Sequence, residues 1–188
     1  AILLHYPSIL EDTINYIPPR VKIEISCLSM DEPTELRPIR SLIGESFDDE
    51  DTDAESLVRT VVPTRTFLEK LFLLAEEFQK EKPRSVRMSR HLYDLEKLMD
   101  TEYGKEALSN RELYDAIVEH RKAYYALKYV NYDSHTPSTI NFTIPESAME
   151  AWQDDYADMR RFFIYGESLE FDELMQKMRE LQERVRIM

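Results

Sequence analysis

Lys70 interrupts an apolar helical run, FLEKLFLLAEEF at residues 67–78. A little downstream, RMSRHLYDLEKLMD, Arg87 to Asp100, crowds two arginines, a histidine and an aspartate onto three helical turns. On a helical wheel Phe67, Leu71, Leu74, Ala75 and Phe78 share one face, and Lys70 lies at its edge, about 60° from Phe67. Such a lysine either snorkels, its stem on the core and its head in water, or aims its ammonium into a cleft at an anion such as phosphate. In the second run Met88, Leu92, Leu95 and Met99 are apolar, Arg87, Arg90 and Asp94 share a flanking stripe, and His91 lies between stripe and core. Arg90 and Asp94, at i,i+4, suit either a surface ion pair or a cleft cluster in which Asp94 orients a phosphate-holding cation. The short link through Pro83 favours antiparallel helices, so Lys70 and Asp94 are allowed to face each other across the seam. Glu24, in VKIEISCL, has two readings as well: an ordinary polar-face residue, or a carboxylate held rigidly to bind Mg²⁺ or activate a hydroxyl.

The elements that must position these groups follow from pattern. Val21, Ile23, Ile25 and Cys27 alternate with polar residues, which predicts a half-buried strand over Val21–Leu28. Pro18-Pro19 delivers an extended entry to it. Residues 31–43, with Pro33 and Pro38, read as a connection into a short helix or strand (SLIGESF), DDEDTDAE (48–55) as a solvated acidic loop, and LVRTVVP (57–63) as a second short strand. Pro63-Thr64 looks like a helix start, with Thr64 as its cap. Helices are expected over about 65–80, 85–100 and 109–127, the third starting at Ser109 or Asn110. STINFTIP (138–145) reads as extended. Pro145 leads into a helix reaching Phe163, closed by Tyr165-Gly166, and Ser168–Met188 is amphipathic, with Phe171, Leu174, Met178 and Leu181 at helical spacing. The expected fold class is α+β, predominantly α-helical, with a strand-containing portion over 1–63 and a helical domain over 64–188.

Composition narrows the function. The chain has 188 residues and a formal charge of -13, from 24 Lys/Arg against 37 Asp/Glu. That excess argues against a broad basic nucleic-acid surface but leaves room for a local basic pocket. The single cysteine, Cys27, fits a reducing compartment and reads as a small core residue, so the cytoplasm is expected. No apolar run reaches membrane-spanning length. The start, AILLHYPSILED, suggests entry in mid-element and hence a fragment of a longer protein. His120 and His135 have no metal-ligand spacing around them, Gly44-Glu45-Ser46 beside the acidic run is a weak signal, and there is no glycine-rich phosphate loop.

PTRTFLEKLFLLAEEF, RMSRHLYDLEKLM and LYDAIVEHRKAY, in that order, resemble the AbiEii/AbiGii toxin family of nucleotidyltransferase-like proteins. VKIEIS, EPTELRPIRSLI, INFTIPE, AWQDDYADM and FIYGESLEFDEL extend the resemblance over nearly the whole chain. It implies a nucleotidyltransferase-type α/β core, present here as a remnant, followed by a helical bundle. It also implies a bacterial toxin of a toxin–antitoxin or abortive-infection system that uses Mg²⁺ to transfer a nucleotide from an NTP to an RNA acceptor, in some members a tRNA. Carried over, Lys70 matches the helical lysine and contacts phosphate, and Asp94 matches the aspartate of an R-x-x-D-like helix. Glu24 matches the strand acid and metal ligand, while Arg65, Arg90 and His91 join the nucleotide-binding set. The family's glycine turn and paired carboxylates are absent, so this chain alone is expected to be inactive. A cognate antitoxin is the expected partner. The competing reading is a helical protein-binding module without catalysis.

Overall fold

Two antiparallel hairpins precede a helical assembly in the computed structural model, which describes residues 1–7, 18–25, 34–47 and 55–188. In the first hairpin β1 (Ile2–His5) pairs with β2 (Arg20–Ile23), from Ile2 opposite Ile23 to His5 opposite Arg20. In the second β3 (Thr34–Arg40) pairs with β4 (Glu55–Val61), from Thr34 opposite Val61 to Arg40 opposite Glu55. A short helix, α1 (Leu42–Ser46), follows β3, with the Ser41 hydroxyl accepting from the Gly44 N–H at 2.9 Å.

The hairpins depart from the sequence reading in two ways. Residues 34–40 form a strand rather than a connection. A ribbon of two strands is all edge, and an edge position tolerates Pro38, which has no N–H to give a ladder. The alternation over 21–25 also buries no face: Val21, Ile23 and Ile25 are all exposed. Alternation specifies two faces, but burial needs a layer to cover one of them, and none does so at these residues. Cys27 and the acidic residues 48–54 lie outside the described residues.

Helix α2 (Pro63–Glu77) is the centre of the molecule. Proline at its first position needs no donor there. Thr64 is not its cap: Val62 holds that position, and the Thr64 hydroxyl donates to Glu106 at 2.9 Å. Phe67, Leu68, Leu71, Phe72, Leu74 and Ala75 are all buried, which is more than one stripe, because α3 (Arg90–Met99), α4 (Glu102–Ser109) and α5 (Arg111–His120) all pack against it.

The expected helix over 109–127 is divided. Asn110 caps α5 by accepting from the Leu113 N–H at 2.9 Å, as the sequence suggested. After His120 the chain widens into a π-helical turn, Arg121–Tyr125, ended by Ala126 at φ 44° and ψ 44°. The sequence reading missed α4; Gly104 within it weakened the helical signal.

Residues 138–145 join no ladder, yet Ile140, Phe142 and Ile144 are buried in alternation. Gln182 takes the place of a partner strand, donating to the Ile140 carbonyl at 2.8 Å and accepting from the Phe142 N–H at 3.3 Å. The last two helices are α6 (Met149–Phe162), after a 3₁₀ turn at Glu146–Ala148, and α7 (Phe171–Arg186), which opens on a reciprocal Glu170–Glu173 capping box. Phe171, Leu174, Met178 and Leu181 are buried. Trp152 of α6 anchors the core against Phe78, ring centroids 4.9 Å apart. The protein is an α+β fold with helices dominant.

Candidate functional site

The apolar stripes of α2 and α3 set the geometry of the site. Leu71 and Leu74 on one helix and Leu92 and Leu95 on the other are buried, so residues flanking those stripes meet at the rim of the seam. Lys70 and Asp94 are the residues that meet. The Lys70 ammonium donates to Asp94 Oδ2 at 2.6 Å, with 22% and 35% of the two side chains exposed. Asp94 takes Lys70 rather than Arg90 as its partner. Arg90 stays exposed and has no ion pair among the described residues.

His91 lies beneath this pair, 8% exposed, with Nδ1 buried and without a hydrogen-bond partner. Burial first, then the positive charges of Lys70 and Arg90, push its pKa down to about 4, so the imidazole is neutral at pH 7. Arg84 adds a weaker repulsion. Three cations therefore sit close enough to His91 to act on its proton, on a chain whose overall charge is -13.

Glu24 follows the last residue of β2 and is exposed. It is not mid-strand. Its carboxylate accepts from the Lys22 ammonium at 2.6 Å, and that hydrogen bond, with the Lys22 charge, holds it below the usual carboxylate range; Arg90 adds a smaller pull in the same direction. Among the described residues there is no group of three or more His, Cys, Asp or Glu side chains able to hold a metal ion. One exposed carboxylate already tied to a lysine does not make a Mg²⁺ cage.

Arg65 lies elsewhere. Five residues before Lys70, it is about 140° away around α2. It is buried, and its guanidinium donates to Glu69 at 2.8 Å. Glu69 in turn accepts from Arg121, which also grips Glu76 with two hydrogen bonds, Nε to Oε1 at 2.7 Å and Nη2 to Oε2 at 2.5 Å. Burial alone would lower the pKa of Arg121, but the Glu76 hydrogen bonds and charge more than offset it and raise it. The sequence reading missed this network. Glu69 and Glu76, seven apart and therefore on one face of α2, were the available signal; their partner lies 45 residues beyond Glu76, on the π-helical turn.

Glu77 is also buried. It accepts from Lys80 at 2.8 Å and from the Arg84 side chain at 2.7 Å and backbone N–H at 2.8 Å. Burial pulls its pKa up, but the Arg84 and Lys80 hydrogen bonds outweigh that and bring it to about 2.

No curated protein and no solved structure matches the chain. The family model described as nucleotidyl transferase AbiEii toxin of type IV toxin–antitoxin systems matches residues 1–177. That span takes in both hairpins, the Lys70–Asp94 seam and the first two turns of α7, and the chain belongs to this family of nucleotidyl transferase AbiEii toxins.

Proposed function

We propose that the chain acts in a nucleotidyl transfer from an NTP to an RNA acceptor, a tRNA among the candidates, and that the Lys70–Asp94 seam receives the phosphates. The observation that carries this reading is the 2.6 Å contact between Lys70 and Asp94 at the rim of two packed helices, with Arg90 unpaired beside it among the described residues. An ammonium has three donors. Asp94 takes one of them and fixes the head, which leaves two for phosphate oxygens. Arg90 adds a second cation. His91, neutral at pH 7, packs under the site without adding charge.

In such a transfer the acceptor oxygen bonds to the α-phosphorus. The bond to the bridging oxygen breaks, pyrophosphate leaves, and the acceptor proton passes to a base or to solvent. Fixed cations stabilise the charge that builds up on the leaving phosphates. Glu24, held at a low pKa, is a weak base, which favours cation binding over proton abstraction as its contribution. Mg²⁺ would supply further neutralisation of the triphosphate. The described residues build no cage for it. Arg65, buried against Glu69, is outside the contact set. The proposed setting is the cytoplasm, with a cognate antitoxin as regulatory partner. Among the described residues no helix is long and apolar enough to cross a membrane.

The test is transfer of label from each α-labelled NTP to total RNA by the full-length protein. Lys70→Ala and Asp94→Ala should each lower the rate by about 100-fold or more. Both should keep the wild-type urea midpoint within the ~1 kcal/mol that a partly exposed ion pair contributes. Wild-type rates in both variants would remove the seam from the reaction.

A further inference from the structure

The acidity of the chain is unevenly spread. In residues 80–90, KEKPRSVRMSR, five side chains are Lys or Arg and one is Glu, on a chain where acids outnumber bases 37 to 24. This basic stretch joins α2 to α3 and ends at Arg90, beside the Lys70–Asp94 pair. Its other end meets aromatic surface. The Lys80 ammonium lies 5.3 Å from the centroid of the Tyr129 ring, and Tyr129 also acts electrostatically on Arg84. Tyr129 is 44% exposed, and Tyr124, on the π-helical turn five residues earlier, is 67% exposed. Tyr124 is braced from behind by His120, ring centroids 4.7 Å apart. Lys128 and Lys82 are exposed and have no ion pair among the described residues. Glu77 neutralises only part of the strip: one buried carboxylate serves two cations, Lys80 and Arg84.

We propose that this strip, from Tyr124, Lys128 and Tyr129 through Lys80, Lys82 and Arg84 to Arg90, binds a single-stranded nucleic-acid segment. Cations spaced along a surface follow a phosphate backbone, and exposed rings offer stacking faces to unpaired bases. Unpaired bases are what distinguish this occupant from other polyanions: an acidic peptide has nothing that calls for two exposed tyrosines, and a duplex keeps its bases stacked inside. The proposal rests on the transferase reading in that it supplies the acceptor's docking surface next to the phosphate seam, but its readout is binding and needs no turnover.

The experiment is a fluorescence anisotropy titration of the full-length protein with a labelled mixed-sequence single-stranded RNA 12-mer, without NTP, at several salt concentrations. Tyr129→Ala should weaken binding by about tenfold, the loss of one stacked base. Lys82→Glu and Lys128→Glu, both at exposed positions, should weaken it further and each flatten the slope of log affinity against log salt by about one. The Lys70→Ala protein, with its phosphate site removed, should still bind the 12-mer. The proposal is overturned by no binding at low salt, by unchanged affinity in all three strip variants, by preference for the annealed duplex, or by equal competition from polyglutamate. If the strip variants lose binding while no NTP is ever transferred, the strip stands and the transferase reading falls.

Discussion

The Asp155 carboxylate on α6 holds Ser89 twice, Oδ2 accepting from its backbone N–H at 3.0 Å and from its hydroxyl at 2.5 Å. Oδ1 accepts from the Arg87 N–H at 2.5 Å. Arg87 has φ 59°, a conformation that side-chain-bearing residues seldom adopt. A residue 66 positions away thus fixes the turn that launches α3 and sets where Arg90, His91 and Asp94 begin. Asp155→Ala leaves the buried N–H and hydroxyl of Ser89 and the half-buried N–H of Arg87 without an acceptor, so a loss of about 2–4 kcal/mol is expected in urea unfolding. Asp155→Asn, which keeps one acceptor oxygen, should lose less. Equal midpoints for wild type and Asp155→Ala would show that the turn holds itself.

Arg121 gives the second prediction. Removing one member of a buried ionic network strands its partners, at a cost of about 3–5 kcal/mol. Arg121→Met should fall in that range, since it leaves Glu76 buried without a cation. Adding Glu76→Leu to the Arg121→Met protein should recover much of the loss, and a double variant as unstable as the single one would assign the damage to packing at the π-helical turn instead.

Gly104 and Gly166, with contrasting surroundings, provide a third. A Cβ at Gly104 would collide with the Leu98 carbonyl oxygen and approach Met99 Cα to 2.8 Å, backbone atoms that cannot step aside. Gly104→Ala should therefore cost about 1–3 kcal/mol or more, despite alanine's better helix propensity. Gly166, at φ 101° with open space around it, faces only backbone strain, so Gly166→Ala is expected to cost less, about 1 kcal/mol. Thermal midpoints of the two variants in the reverse order would contradict this.

Acid sensitivity has two windows. His91 and His135 are both pushed to about 4, burial being the first cause in each, whereas an unfolded imidazole titrates near 6.5. Between those values the unfolded chain takes up protons that the folded one refuses. The stability they permit is full above pH ~6.5 and declines as pH falls toward ~4. Glu77, at about 2 when folded, gives stability that is full above its unfolded value and is lost as pH falls from ~4.5 through ~2. Urea midpoints at pH 7, 5 and 3 should fall at each step, and His135→Gln should flatten the first step. Identical midpoints at pH 7 and 5 would contradict the neutral, buried histidines.

The helical half of the fold was legible because burial there follows sequence period. Phe67, Leu71 and Leu74, and later Leu174, Met178 and Leu181, are spaced as one face and are buried as one. The Lys70–Asp94 pairing could be framed from two such faces but not settled, since a stripe fixes direction and not depth. What stayed hidden depends on partners distant in sequence. Arg121 reads as a surface base until Glu76 is seen beneath it, and Asp155 as a surface acid until the 87–89 turn is placed on it. Pro38 marked a connection by local rule, but its strand is made by residues 55–61 on the other side of the acidic run.

The hairpins give the molecule two timescales. Among the described residues, β1–β4 bury almost no side chain, and each ribbon keeps both outer edges unpaired. Opening such a ribbon exposes little new apolar area, so it should open without waiting for the helices. Amide exchange at these strands should be lost within the fast phase while the amides of α2 persist. A protease given briefly should cut in the strand-bearing region long before it reaches the chain that follows Pro63.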